Sequence, residues 1–352
     1  MHFDALALAC IAHELQETVV GGRVQQVMLV DDFSVGLEIY AERQRHYLLI
    51  SAQPTESRIY LSSRKLRRGA DQQSPLLLLL RKYVRGSRVA AVRQPDPLER
   101  VLRIEMDHAE HGVTTLLAEP MGRNANLILL DPDDRILESV RRVHAHEGRI
   151  VLPNQSYTAP PPQQKLPPFD DGRPDYYAQF SVIVQADDLL WKRLVRQIAG
   201  VSPSQAREVA WRATGSVQAR ASDVNLLAVM QAFQELWSSL ESGNWQPGVW
   251  VDDGAVVGFS AYPAHFRGRF EPTQSMSNAI EQYFDARQEG NVDAYAVQRK
   301  EIAVLLRRAI KRVDRRIDAL AKDVPQPGEV DHIRSQAEWL LAMSSQIEPG
   351  QE

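Results

Sequence analysis

Residues 23–62 read RVQQVMLVDDFSVGLEIYAERQRHYLLISAQPTESRIYLS, and the fold is decided here. Apolar and β-branched side chains gather in four short runs, at 24–30, 34–40, 46–50 and 58–62. Polar breaks at Asp31-Asp32, Glu42 to Gln44 and Gln53-Pro54 separate them. Short apolar runs with such punctuation predict an antiparallel meander. Upstream, Phe3, Leu6, Ala7, Cys10, Ile11 and Leu15 recur at steps of three and four. That spacing predicts an amphipathic helix, stopped by Gly21-Gly22. Downstream, 75–84 predicts an apolar-then-basic helix ended by Gly86. Further strands are expected at 88–92, 100–106, 114–118, 125–130 and 136–139. Region 1–160 therefore reads as α+β, an antiparallel sheet flanked by helices.

The segment 161–174 is proline-rich and reads as a linker or extended strap. Beyond it, helices are expected at 187–199 and 203–214, joined through Gly200-Val201-Ser202-Pro203. Ser202 suits the N-cap and Pro203 the first helical position. Two helices joined by a short glycine-containing turn resemble a helix-hairpin-helix. Region 175–272 is thus expected to be an all-α helix-hairpin-helix-like domain, apart from a small hairpin around Asp252-Asp253-Gly254. Region 273–352 is expected to be helical. Ile302, Leu306, Ala309, Val313, Ile317 and Leu320 form a heptad seam there, the start of a coiled coil. One seam cannot bury itself, so another chain (self-association), another domain or a missing C-terminal segment is expected to cover it.

The 352 residues are 44% hydrophobic and 24% charged, which is globular composition. A single cysteine, Cys10, excludes a disulfide framework and a cysteine-rich zinc or iron–sulfur site. The first twenty residues lack the basic n-region of a signal peptide, and no membrane partner is expected. The expected location is cytoplasmic. Net charge is −4, yet 58–103 carries twelve Lys/Arg against three acids, a net of +9. Residues 299–322 carry nine against three, a net of +6. Concentrated basic segments suit a polyanionic partner. Arg81, Lys82 and Arg85 lie one turn apart on the first, and Arg307, Arg308, Lys311 and Arg312 lie on the second. These are the candidate contacts to a nucleic-acid backbone. Phosphate-loop, nucleophile-elbow and zinc-protease motifs are absent. His144 with His146, and His108 with Glu110, are two apart. Ordinary turn histidines are the favoured reading, so neither metal nor cofactor is expected.

Several segments also carry a resemblance. Phe3-Asp4-Ala5-Leu6 precedes Val20-Gly21-Gly22-Arg23-Val24, and Leu80-Arg81-Lys82-Tyr83-Val84-Arg85-Gly86 precedes Glu99-Arg100. Met121-Gly122-Arg123-Asn124-Ala125-Asn126 follows, then Gly200-Val201-Ser202-Pro203 and Phe259-Ser260. In this order they resemble the NFACT family, the fibronectin-binding-protein-A-like proteins that include bacterial ribosome quality-control factors. The resemblance implies an NFACT-N domain, a fold similar to DNA glycosylases, a helix-hairpin-helix domain and the first part of a coiled coil. A returning coiled-coil helix and a C-terminal RNA-binding domain are implied for a complete member. It implies partners: large-subunit rRNA, peptidyl-tRNA, and alanyl-tRNA for template-free alanine tailing. The ribosome would form the bonds, so no enzyme is expected. An Asp-Arg pair and a Glu-x-Met-Gly loop, linked to tRNA handling in the family, fall on Glu99-Arg100 and on Glu119, Pro120, Met121 and Gly122, with Arg123 adjoining. Glu99 replaces the family's Asp, and Asn124-Ala125 replaces its His-Ser. The rivals are a surface adhesin and a DNA glycosylase. The start Met1-His2 lacks the proline nucleophile of the glycosylases.

Overall fold

A computed structural model describes residues 3–69, 74–145, 149–185, 187–292, 296–323, 327–344 and 346. It divides into two compact units, residues 1–287 and 288–352. The expected boundaries at 160, 174 and 272 all fall within the first unit.

Helix α1 (Ala5–Thr18) begins at Asp4, whose Oδ1 accepts the Ala7 N–H at 2.9 Å. The expected single apolar stripe is replaced by burial all round, from Ala5 to Ala12. Four alanines in that stretch let other elements approach from several sides. The meander follows as β1 (Arg23–Asp31), β2 (Ser34–Ala41), β3 (Gln44–Ser51) and β4 (Arg58–Ser62). Helix α2 (Pro75–Tyr83) is capped by Ser74, whose Oγ accepts the Leu77 N–H. A second meander contains β5 (Arg88–Arg93), β6 (Leu102–His108), β7 (Gly112–Glu119), β8 (Asn126–Leu130) and β9 (Ile136–Ser139). All nine strands make one antiparallel sheet, ordered β4-β3-β2-β1-β5-β6-β7-β8-β9.

The meanders join where Arg23 pairs with Arg88. The join needs glycine: a Cβ at Gly22 would lie 2.8 Å from the Ala41 Cβ and 2.9 Å from the Val19 carbonyl oxygen.

Helices α3 (Tyr176–Val184), α4 (Leu190–Gln197), α5 (Pro203–Thr214), α6 (Leu226–Trp237) and α7 (Ser239–Ser242) come next. The Ser202 cap is a complete capping box with Gln205. The all-α expectation for this region needs correction. Strands β10 (Gly248–Asp252), β11 (Ala255–Ser260) and β12 (Arg269–Pro272) form a second sheet, ordered β11-β10-β12. Only the β10–β11 hairpin carries a local signal, with positive φ at Asp253 and Gly254. β12 is a strand because it pairs with β10. One core runs through both regions, from Leu6, Ile11 and Leu15 to Phe180, Phe233 and Trp250.

Helix α8 (Met276–Val292) closes the β4 edge. Ser277 Oγ accepts the Leu61 N–H at 2.9 Å, and Glu281 Oε1 accepts the Ser62 hydroxyl at 2.9 Å and the Ser63 N–H at 3.0 Å. An open edge strand is thereby covered.

In the second unit, α9 (Ala296–Asp323) and α10 (Pro327–Ala342) are helical. Leu306, Val313, Ile317 and Leu320 of the seam are all more than half exposed. Among the described residues the seam is not paired into a coiled coil.

Candidate nucleic-acid interface

Leu102 at the start of β6 pairs with Ala118, one residue before Glu119. Glu99-Arg100 and the 119–123 loop therefore leave the sheet at the same end. The register thus brings two motifs about twenty residues apart in the chain to one end of the sheet.

Gln94 holds the first loop, its Nε2 donating to the Glu99 carbonyl at 2.8 Å. The Glu99 carboxylate accepts from Gln163 Nε2 at 3.4 Å. Partial burial raises its pKa above the ordinary carboxylate value, and Asp96 adds to this. The neighbouring Arg100 turns inward. Its Nη1 donates to the Phe3 carbonyl at 3.4 Å. Burial lowers its pKa, against the pull of Asp4 and Glu99. Asp4 Oδ2 accepts the Ser202 hydroxyl at 3.1 Å. The Asp4 carboxyl lies above its ordinary value, chiefly through burial, with the Ala7 amide, Ser202 and Arg100 opposing. Arg100 thus ties the starts of α1 and α5 to the sheet. Glu99 and Arg100 thus make two separate attachments, Glu99 to the strap and Arg100 to the Phe3 carbonyl beside Asp4.

Glu119 is likewise interior. It is 1% exposed, accepts from Arg149 Nη1 and Tyr157 Oη at 2.8 Å each, and pairs with Arg149 Nη2 as well. Burial and the adjacent carboxylate push the Tyr157 hydroxyl pKa up. Glu119 therefore anchors the chain entering the strap. Pro120 is buried and Met121 half-buried. Gly122 has φ +60°, as a left-handed position requires, and its N–H reaches Ser57 Oγ at 3.4 Å. Within the loop only Arg123 and Asn124 are exposed. Arg123 is fixed through its carbonyl, which accepts from Arg141 Nη1 at 2.6 Å. Ala125 is buried, and Asn126 binds the Arg141 backbone at 2.8 and 3.0 Å.

At the end of α2, Lys82 and Arg85 are exposed while Arg81 is half-buried. Sequence reading missed what surrounds them. Lys82 Nζ lies 4.8 Å above the Tyr83 ring, Tyr83 meets His111 edge-on at 5.2 Å, and His111 stacks on His108 at 4.7 Å. The rings come from two distant segments, so no local pattern reveals them. His108 Nδ1 accepts the Glu110 N–H at 3.1 Å, and Glu110 sits in the turn beyond β6. His144 is exposed, and His146 lies outside the described residues. Arg307, Arg308, Lys311 and Arg312 are exposed on α9 of the second unit.

The chain is 25% identical over 291 residues to a Bacillus subtilis protein named "Rqc2 homolog RqcH", covering 81% of this chain and 49% of that protein. A Streptococcus pneumoniae protein of the same name is 30% identical over 216 residues, covering 59% of this chain and 38% of that protein. The chain thus spans about half or less of these relatives' length. Among solved structures, the N-terminal part of a fibronectin/fibrinogen-binding protein from Streptococcus suis superposes with a TM-score of 0.65 at 24% identity, covering 80% of this chain and 99% of that one. A fibrinogen-binding protein from Staphylococcus aureus gives 0.64 at 22% identity, covering 81% and 100%. These two show the shared fold. The family described as NFACT N-terminal and middle domains matches residues 4–352, essentially the whole sequence, and the chain belongs to it.

Proposed function

We propose that this chain is an RNA-binding factor of ribosome-associated quality control. It engages a large ribosomal subunit obstructed by peptidyl-tRNA, through rRNA and tRNA, and recruits alanyl-tRNA for C-terminal alanine tailing. The supporting observation is the similarity to proteins named as RqcH across 81% of the chain. In this reading the protein is a positioning scaffold, not an enzyme, and the ribosome makes the peptide bonds. Exposed Lys82, Arg85 and Arg123 meet phosphates. Glu99 and Arg100 shape the tRNA-facing loop, the latter from within. Helices α4 and α5 act as a helix-hairpin-helix, and the α9 cations of the second unit are separate contacts to an RNA backbone. The protein works in the cytoplasm.

The test is co-sedimentation with purified large subunits, with and without peptidyl-tRNA, over a salt series. An Arg85→Ala/Arg123→Ala variant runs alongside. Binding that needs peptidyl-tRNA, falls steeply with salt and weakens about tenfold or more in the variant supports the reading. Salt-insensitive binding, or none, together with capture by immobilised fibronectin, would transfer support to the adhesin reading.

A further inference from the structure

A groove of about 530 Å³ lies between the strap and helices α3 and α4. The strap is pinned there by a parallel bridge, Leu166 N–H to the Gln197 carbonyl at 2.9 Å and Ala199 N–H to the Leu166 carbonyl at 2.8 Å. Four glutamines line it: Gln163 and Gln164 from the strap, Gln179 from α3 and Gln197 from α4. Lys165, Arg173 and Arg193 supply positive charge, and among the described residues the lining includes no carboxylate. Lys165 Nζ is held by the Val195 carbonyl at 2.9 Å, and Arg173 by Asp171. The Arg193 Nε–H is buried and has no partner. That nitrogen is enclosed by protein, while the half-buried side chain lines the groove and offers the guanidinium charge to an anion. One wall is apolar, with Val182 62% exposed beside buried Ile183.

These features specify a ligand. Primary amides match the mixed donor and acceptor edge of a nucleobase. The apolar wall takes its face, and the guanidinium takes a phosphate oxygen. Gln163 also bonds Glu99, so the groove continues into the loop described above. We propose that the strap–α3–α4 groove binds one unpaired nucleotide of a single-stranded RNA segment, its base against Val182 among the glutamines and its phosphate on Arg193. This deepens the RNA-binding reading and rests on it.

The experiment uses the full chain and a fluorescent single-stranded RNA of about 12 nucleotides carrying one 4-thiouridine. Anisotropy reads affinity, and photo-crosslinking followed by peptide mapping reads position. Arg193→Met removes the donors, and Gln197→Glu adds a repelling carboxylate at an exposed position. The expected result is a loss of about tenfold or more in Arg193→Met and a smaller loss in Gln197→Glu, at unchanged circular dichroism. Crosslinks are expected on residues 163–166 or 179–197. Adenosine monophosphate should displace the RNA where equal inorganic phosphate does not. Wild-type binding with crosslinks elsewhere and both variants at full affinity overturns the groove but leaves the RNA-binding reading intact. Equal displacement by phosphate overturns the base-recognition claim. Absence of RNA binding by the wild type at low salt overturns both.

Discussion

The Glu119 carboxylate receives hydrogen bonds from Arg149 and from Tyr157 while almost wholly buried. Removing it leaves a guanidinium only 18% exposed without its counter-charge. Breaking such a pair costs about 3 kcal/mol. Glu119→Ala should therefore lower the unfolding free energy, as read by urea denaturation, by that amount. A variant that unfolds like the wild type but loses RNA binding would show Glu119 to be a direct contact instead. Asp4 makes a prediction with the opposite emphasis. Its folded-state pKa is raised, so the native protein holds this proton to higher pH than the unfolded chain. Stability then falls as pH rises from the ordinary carboxylate range through the folded value. Asp4→Asn keeps the N-cap and removes the titration. Its stability relative to wild type should improve as pH rises above the ordinary carboxylate range, as read by chemical denaturation at each pH. A constant difference would refute the assignment.

At the scale of elements, the α4–α5 junction couples the helical region to the candidate loop. Gly200 has φ +70°, and a Cβ there would lie 3.0 Å from both the Cα and the carbonyl oxygen of Leu98. Backbone cannot yield as a flexible side chain can, and the left-handed angle adds strain. Gly200→Ala should cost about 1–3 kcal/mol and displace the segment leading to Glu99. Differential scanning calorimetry would read the first effect, and hydrogen exchange over residues 94–101 the second. Wild-type melting and exchange would remove this coupling. The junction was legible in outline, because Ser202-Pro203 is a local cap signal. Its contact with Leu98 was not, since that residue lies about a hundred positions upstream.

For the whole molecule, the second unit presents apolar side chains to solvent in a regular row. Leu306, Ile310, Val313 and Ile317 are 56–59% exposed. A row at heptad spacing loses free energy by staying wet. Sedimentation velocity should show the chain associating as concentration rises. A Val313→Glu/Ile317→Glu variant should stay monomeric, since charges at seam positions cannot be buried unpaired. A wild-type monomer at every concentration would defeat the expectation. The large unit is built differently. Its core joins residues as distant as Phe3 and Phe259, whose rings meet edge-on at 6.1 Å.

The sequence by itself determined the order and type of most elements: the α1 register, two meanders, the capped α5 and the heptad helix. These follow from periodicity, turn chemistry and capping, which act over a few residues. The tertiary structure alone decided which motif residues face inward. Arg100 and Glu119 carry the same charge on the page whether they meet a phosphate or a buried partner; only burial beside Asp4 and Arg149 settles it. The same holds for β12, made a strand by β10, for the α8 cover over β4, and for the glutamine groove. Each depends on segments far apart in the chain arriving within a few ångströms, and no local pattern records that distance.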